Sequence, residues 1–184
     1  MLSKDFCMRT YGRMKKIADI LKGGDLRSIG RTNKVASLIG NQESFDELFP
    51  QLFHPDRKVV MRSADAIEKI TLKNPAFLKQ HEASILKLIE TAKHIELTWH
   101  LALIAYRLHL TKRQFGKVWQ ILIDWANDKK ESNIVRVNSI QGLFNLLQTK
   151  QELKQDFNLT MRQIKKENIP SINARIRNIK KQIP

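Results

Sequence analysis

With 184 residues, 42% of them hydrophobic and 28% charged, the chain is long enough and apolar enough to fold around a sizeable core. It contains only seven Gly and five Pro, which argues against a turn-dense all-β fold. Its 33 Lys and Arg residues outweigh 18 Asp and Glu residues, and a net charge of +15 favours nucleic acid, anionic lipid or an acidic protein face as partner, unless it serves solubility alone.

A single cysteine, Cys7, excludes an intramolecular disulfide and indicates a reducing, intracellular compartment. The sequence has no run of about 18 apolar residues, so no transmembrane segment is predicted. Charged residues interrupt the first 21 positions, which lack the apolar core of a secretory signal. We therefore expect a cytoplasmic protein.

The first predicted helix covers residues 3–22, where apolar residues recur at helical spacing between Lys and Arg residues. The pair Gly23-Gly24 predicts its end. A basic amphipathic helix can also lie on a membrane surface, but the apolar face of this one is modest.

Two later stretches, 25–39 and 56–70, repeat one plan at an offset of 31 residues. Each begins with an aspartate, carries an arginine six residues later and has apolar residues between them. A period in this range is typical of a solenoid of stacked helix pairs. In such an array, residues 1–24 would form an N-terminal cap over the apolar edge.

The partner helices of these two repeats carry their own start signals. Ser44 and Glu47 have the spacing of a capping box, which predicts a helix that begins at Ser44. Pro55 predicts an end at His54, because proline disfavours a helical conformation in the preceding residue. In the second repeat, Asn74-Pro75 predicts a partner helix with Asn as N-cap and Pro at the first helical position.

Two further repeats follow. The third pairs a helix over 96–108 with one that a Thr111–Gln114 capping box opens. The fourth begins at Ser132 as N-cap, and a third capping box at Thr149–Glu152 opens its partner. Pro170 starts a last short helix.

Strand signals are nearly absent, so the sequence predicts an all-α fold. We expect one domain over 1–184. Four helix pairs would occupy 25–166, between the N-terminal cap and a C-terminal capping helix over 170–183.

The pattern Asp-x-x-x-Val-x-Arg-x-x-Ala-x-x-x-Ile resembles the first helix of a HEAT repeat, whereas the tetratricopeptide and ankyrin signatures are missing. The resemblance covers nearly the whole chain and implies an α-α superhelix, a HEAT-like solenoid. It also implies an inter-repeat polar ladder, which would include Asp25, Arg31, Asp56, Arg62 and Arg136. The third repeat has His94 and His100 at the equivalent places, and the fourth has Lys130 in place of the acid, so the ladder is expected to break after the second repeat. HEAT arrays mostly serve as binding scaffolds, so the resemblance is specific for fold and weak for function.

No motif for catalysis or metal binding stands out. His94, His100 and His109 are six and nine residues apart, not the four of a helical histidine pair, and the one cysteine is remote. Phosphate-binding loops, nucleophile elbows and paired carboxylates are likewise missing from the sequence. We expect no metal and no cofactor.

One enzymatic relative shares residue types with this chain. HEAT-like DNA glycosylases for alkylated bases use aromatic and acidic groove residues, and Trp119, Asp124 and Trp125 are of the right types. They match no motif of that family residue by residue. Together with Trp99, the tryptophans are expected in the core or lining a groove rather than stacked on bases. We therefore expect no enzyme.

The basic residues are more informative by position. Second helices line the concave side of HEAT-like arrays, and a predicted basic face on that side comprises Arg113, Lys117, Lys150, Lys154, Arg162, Lys165 and Lys166. The primary hypothesis is a monomeric binding scaffold that holds an acidic protein partner on this face. The rival is sequence-independent binding of DNA or RNA through the same cations, with affinity that falls steeply with salt.

Overall fold

The computed structural model describes residues 16–22 and 29–182, and every regular element in these ranges is helical. Residues 16–21 form helix α1. The other α-helices are α2 (Ile29–Leu38), α3 (Gln42–Leu48), α4 (Arg57–Lys73), α5 (Glu82–Thr91), α6 (Ile95–Ile104), α7 (Lys112–Asn127), α8 (Asn133–Leu147), α9 (Lys154–Lys165) and α10 (Pro170–Lys180). Short 3₁₀ helices occupy Phe49–Phe53, Pro75–His81, Ala105–Arg107 and Gln151–Leu153. The predicted all-α class is confirmed, and the helices pack in neighbouring pairs as in a HEAT-like α-solenoid.

Polar caps fix several helix starts where the sequence predicts them. Asp56 Oδ1 accepts a hydrogen bond of 2.8 Å from the backbone N–H of Lys58, at the start of α4. Thr111 and Gln114 form the predicted capping box of α7. Ser132 is the N-cap of α8, and Pro170 is the first residue of α10. Each cap satisfies backbone N–H groups that lack a partner within the helix.

Two predicted capping boxes are wrong. Helix α3 begins at Gln42, because Asn41 is its N-cap and Ser44 is the N3 residue that completes the box from the other side. Thr149 caps nothing, since its hydroxyl donates to the Leu146 carbonyl at the end of α8, at 2.8 Å. This bond to the preceding helix competes with the capping role. Helix α9 starts instead at Lys154, after a 3₁₀ turn.

The predicted start at Asn74-Pro75 is also displaced. Asn74 ends α4, and its backbone N–H donates to the Ile70 carbonyl at 3.0 Å. Pro75 opens a 3₁₀ helix, and the α-helical partner starts only at Glu82. The predicted Gly23-Gly24 stop lies outside the described residues, as does most of the N-terminal cap.

The chain divides into two compact units, Met1–Phe77 and Leu78–Pro184. In the first unit, α4 packs against α2 and against the 3₁₀ helix Phe49–Phe53. Its core includes Leu21, Val35 and Phe45, none of which exposes any side-chain surface to solvent. Aromatic contacts link this core, with the rings of Phe45 and Phe77 5.4 Å apart.

The second unit has two layers of helices. Helix α8 packs between α6 and α10 in one layer, and α7 lies between α5 and α9 in the other. The layers meet where α7 and α9 pack on α8. The close approach of α6 and α8 requires Gly142, because a Cβ there would overlap the backbone carbonyl oxygen of Ala102. The second helices of the predicted pairs therefore form one continuous layer in this unit, the α5–α7–α9 layer.

Within the described ranges, every helix is too short or too polar to cross a lipid bilayer.

Candidate binding surface

Two of the predicted ladder arginines bind the end of helix α1. Arg31 Nη1 donates to the backbone carbonyl of Ile20 at 3.2 Å and also to that of Lys22. Arg62 is 1% exposed, and its Nη1 donates to the carbonyl of Leu21. The last carbonyls of a helix lack intrahelical donors and carry partial negative charge, so a guanidinium is a favourable partner.

Arg136 makes the corresponding contact in the second unit. Its Nε donates to the carbonyl of Ala126, near the end of α7, at 2.9 Å, and its Nη2 pairs with Glu167 Oε1 at 2.8 Å. The hydrogen bond from Arg136 holds the pKa of Glu167 below its ordinary value. These arginines therefore hold helices together. Asp25 lies outside the described residues, and the repeat-to-repeat ladder stays a prediction.

The seven predicted basic-face residues are all exposed. They lie on α7 (Arg113, Lys117), just before and at the start of α9 (Lys150, Lys154), and along its second half and end (Arg162, Lys165, Lys166). All belong to the α5–α7–α9 layer or its connections. Four of them line two separate grooves.

The α5–α7 groove encloses about 470 Å³. Its lining combines four apolar side chains with polar and charged ones: Leu86, Ile89, Val118, Ile121, Glu90, Thr111, Arg113, Gln114 and Lys117. Ile89 and Val118 are buried, whereas Leu86 and Ile121 remain half-buried. The groove thus has an apolar floor with two cations at its edge.

An ion pair spans this groove. Lys117 Nζ on α7 lies 2.6 Å from Glu90 Oε1 on α5, and both side chains remain in contact with solvent. Arg113, one turn before Lys117, has no carboxylate partner among the described residues. A second exposed acid, Asp124, lies on α7 and accepts a hydrogen bond of 2.8 Å from Gln120. The positive surface is therefore interrupted by carboxylates.

The second groove lies between α9 and α10 and encloses about 260 Å³. Arg162 and Lys165 contribute to it from α9, and Lys180 contributes from α10. Lys180 is not one of the seven basic-face residues predicted from the sequence. The remaining lining residues are Asn158, Met161 and Ile176.

Trp119 is a core residue and is not available to stack on a base. It is 5% exposed, its ring stacks on that of Phe115 at 6.2 Å, and its Nε1–H donates to Asp156 Oδ2 at 2.7 Å. Trp99 and Trp125 are half-buried. A buried indole N–H needs a hydrogen-bond acceptor, so the sequence predicts that a core Trp119 has an acceptor, but it could not identify that acceptor as Asp156.

Among residues 16–22 and 29–182, no three His, Cys, Asp or Glu side chains cluster as a metal site would require.

The family comparison agrees with this architecture. A family model described as a HEAT repeat domain matches residues 21–183. No curated protein and no solved structure matches the chain significantly. Domains of this kind are helical scaffolds for protein interaction. Because the match extends over most of the sequence, the chain belongs to the HEAT repeat family.

Proposed function

We propose that this protein is a non-enzymatic scaffold that binds an acidic segment of a protein partner on its α5–α7–α9 layer. The α5–α7 groove is the observation that carries the proposal, because its apolar floor adjoins Arg113 and Lys117. An apolar anchor surrounded by polar contacts is the usual anatomy of a protein interface. A segment with apolar and acidic side chains would satisfy both parts of this surface.

Sequence-independent nucleic-acid binding is the second candidate. The exposed cations on α7 and α9 favour it, since phosphates need positive charge and little shape. Glu90 and Asp124 argue against it, because their carboxylates would repel a backbone that follows α7. The apolar floor would also have no role in holding phosphates. We therefore rank the acidic protein segment first.

The test compares two variants that lose the same charge. Arg113→Gln with Lys117→Gln alters the groove, whereas Lys129→Gln with Lys130→Gln alters exposed residues between α7 and α8. The probes are a fluorescent peptide in which Glu residues and Leu residues alternate, a duplex DNA and a single-stranded RNA. Each probe is titrated at several salt concentrations.

We expect the groove variant to bind the peptide about 3- to 10-fold more weakly, because two charge-assisted contacts are lost. The control should change affinity less than about twofold. If both variants lose equally, the groove does not recognise the peptide and the proposal fails. Tighter binding of DNA or RNA than of peptide near physiological salt would establish the second candidate instead.

A further inference from the structure

The α9–α10 groove differs from the α5–α7 groove in its charge. Its lining contains three cations and no acidic residue. Arg162 Nε donates to the Asn158 carbonyl of its own helix at 3.3 Å. In the part of the chain that the structure describes, neither Lys165 nor Lys180 has a carboxylate partner. Three positive charges thus border one groove without a paired carboxylate among the described residues.

The nearby acids are engaged elsewhere. Between Lys154 and Gln182 the sequence has eight basic residues and only two acidic ones, Asp156 and Glu167. Asp156 accepts the indole hydrogen bond of Trp119, and Glu167 is paired with Arg136. Within the described ranges, these two carboxylates are therefore engaged away from the groove, whose positive charge favours an acidic ligand.

The lining residues of the groove recur at helical intervals on both α9 and α10. Its lining on α9 runs from Asn158 to Lys165, a rise of about 10 Å for seven residues. On α10 it includes Ile176 and Lys180, which are one turn apart. A partner helix with acids three and four residues apart would present carboxylates at matching intervals.

The floor supplies a modest apolar contact. Met161 is 4% exposed and Ile176 is 2% exposed, so only small apolar side chains could pack over them. Most of the recognition would then come from charge. Such binding weakens as salt rises and depends on the partner's acidic stripe.

We propose that the α9–α10 groove binds an amphipathic helix of an acidic partner. Carboxylates of that helix pair with Arg162, Lys165 and Lys180, and its small apolar side chains cover Met161 and Ile176. This inference rests on the proposed function in that it takes an acidic protein as the partner. It adds a separate contact and a secondary structure for the segment bound there. Helix-in-groove recognition combines such contacts.

The probe is a synthetic 18-residue peptide with Glu on one helical stripe, flanked by Ala. A second peptide contains the same residues in an order that disperses the stripe, and a duplex DNA is the third probe. The test variant is Lys165→Gln with Lys180→Gln. Its matched control, Arg177→Gln with Lys181→Gln, removes two exposed charges, one on α10 and one at its C-cap, that lie outside the lining.

We expect the groove variant to bind the striped peptide about 3- to 10-fold more weakly, and the control less than about twofold. Amide chemical-shift changes should map to α9 and α10 for the striped peptide alone. Circular dichroism verifies that both variants keep the wild-type fold, as substitution of exposed lysines should allow.

Equal losses in the two variants would overturn the inference, because net charge would then explain binding. If the dispersed peptide binds as tightly as the striped peptide, the inference that the ligand is a helix is wrong. DNA that binds more tightly than peptide, with the same selective loss, would replace the protein partner with nucleic acid. If the Arg113 and Lys117 variant loses binding while this one does not, the proposed function stands and this inference fails.

Discussion

Arginines at equivalent repeat positions perform one structural task. Arg31, Arg62 and Arg136 each donate to carbonyls at the end of an earlier helix. Arginine suits the position because it stays charged and presents several donors in a fixed geometry. The motif that identifies the repeats therefore marks residues that hold helices together, and the residues proposed to bind a partner lie at other positions.

Arg136→Met tests this task. It leaves the Ala126 carbonyl and the Glu167 carboxylate without their donor, so we expect the free energy of unfolding in urea titrations to fall by about 2–4 kcal/mol. The Glu167 side chain is 18% exposed, so water screens part of this interaction and limits the loss of stability. Arg177→Met, at an exposed position, should change stability by less than about 0.5 kcal/mol. Similar losses in both variants would contradict a specific role for Arg136.

Glu167 adds a prediction for pH. Its pKa is lowered in the folded state, chiefly by the hydrogen bond from Arg136. The stabilisation is therefore complete above the ordinary carboxyl pKa of 4.5 and is lost as the pH falls through the lower, folded value. Below pH 4.5, the free energy of unfolding in urea should fall more steeply with decreasing pH for the wild type than for Glu167→Gln. Parallel pH profiles would show that the pair contributes nothing.

At the scale of the helices, local signals carried most of the successful predictions. Thr111 and Ser132 cap helices as their sequence context indicates, because a cap involves residues only two or three apart. Asn41 and Ser44 are both good capping residues, and the sequence alone favoured the wrong one. The role of Thr149 depends on its hydrogen bond to a carbonyl of the preceding helix, and the capping-box pattern cannot reveal that bond.

Packing between α6 and α8 gives a prediction with an internal control. Gly142→Ala places a methyl group against the Ala102 carbonyl, with Leu122 Cδ1 at 3.2 Å, so the two helices must separate. We expect a loss of about 1–3 kcal/mol in thermal or urea unfolding. Gly116→Ala, on α7 with no atom within 4 Å of the new methyl, should raise stability by about 0.5–1 kcal/mol. A stabilised Gly142→Ala would disprove the close approach.

Helical periodicity predicts Arg113 and Lys117 on one helix, and both lie on α7, but it could not predict the partners of the basic residues. Arg113 and Lys117 share one face because they are four residues apart. The carboxylate that Lys117 meets belongs to Glu90, on another helix, and that of Arg136 belongs to Glu167. Such pairs depend on the packing of whole helices, and that information is not local in the sequence.

At the scale of the molecule, the net charge of +15 does not distinguish a binding surface from a soluble one. The structure refines the question, because within the described ranges some cations are paired and others border a groove without a carboxylate partner. Lys117 belongs to the first group, with Glu90, and Lys165 and Lys180 belong to the second. Attraction by the overall charge and binding at a local site therefore predict different changes in affinity when one charge is altered.

Glu90→Gln separates these two explanations. It frees Lys117 for an incoming carboxylate, so we expect the acidic peptide to bind about 2- to 5-fold more tightly in fluorescence titrations. Glu131→Gln raises the net charge by the same one unit, but Glu131 is not part of the groove lining. If the whole-molecule field attracts the partner, both variants will strengthen binding equally. If the α5–α7 groove holds it, only Glu90→Gln will do so, because a carboxylate at position 90 competes with the partner for the same ammonium group.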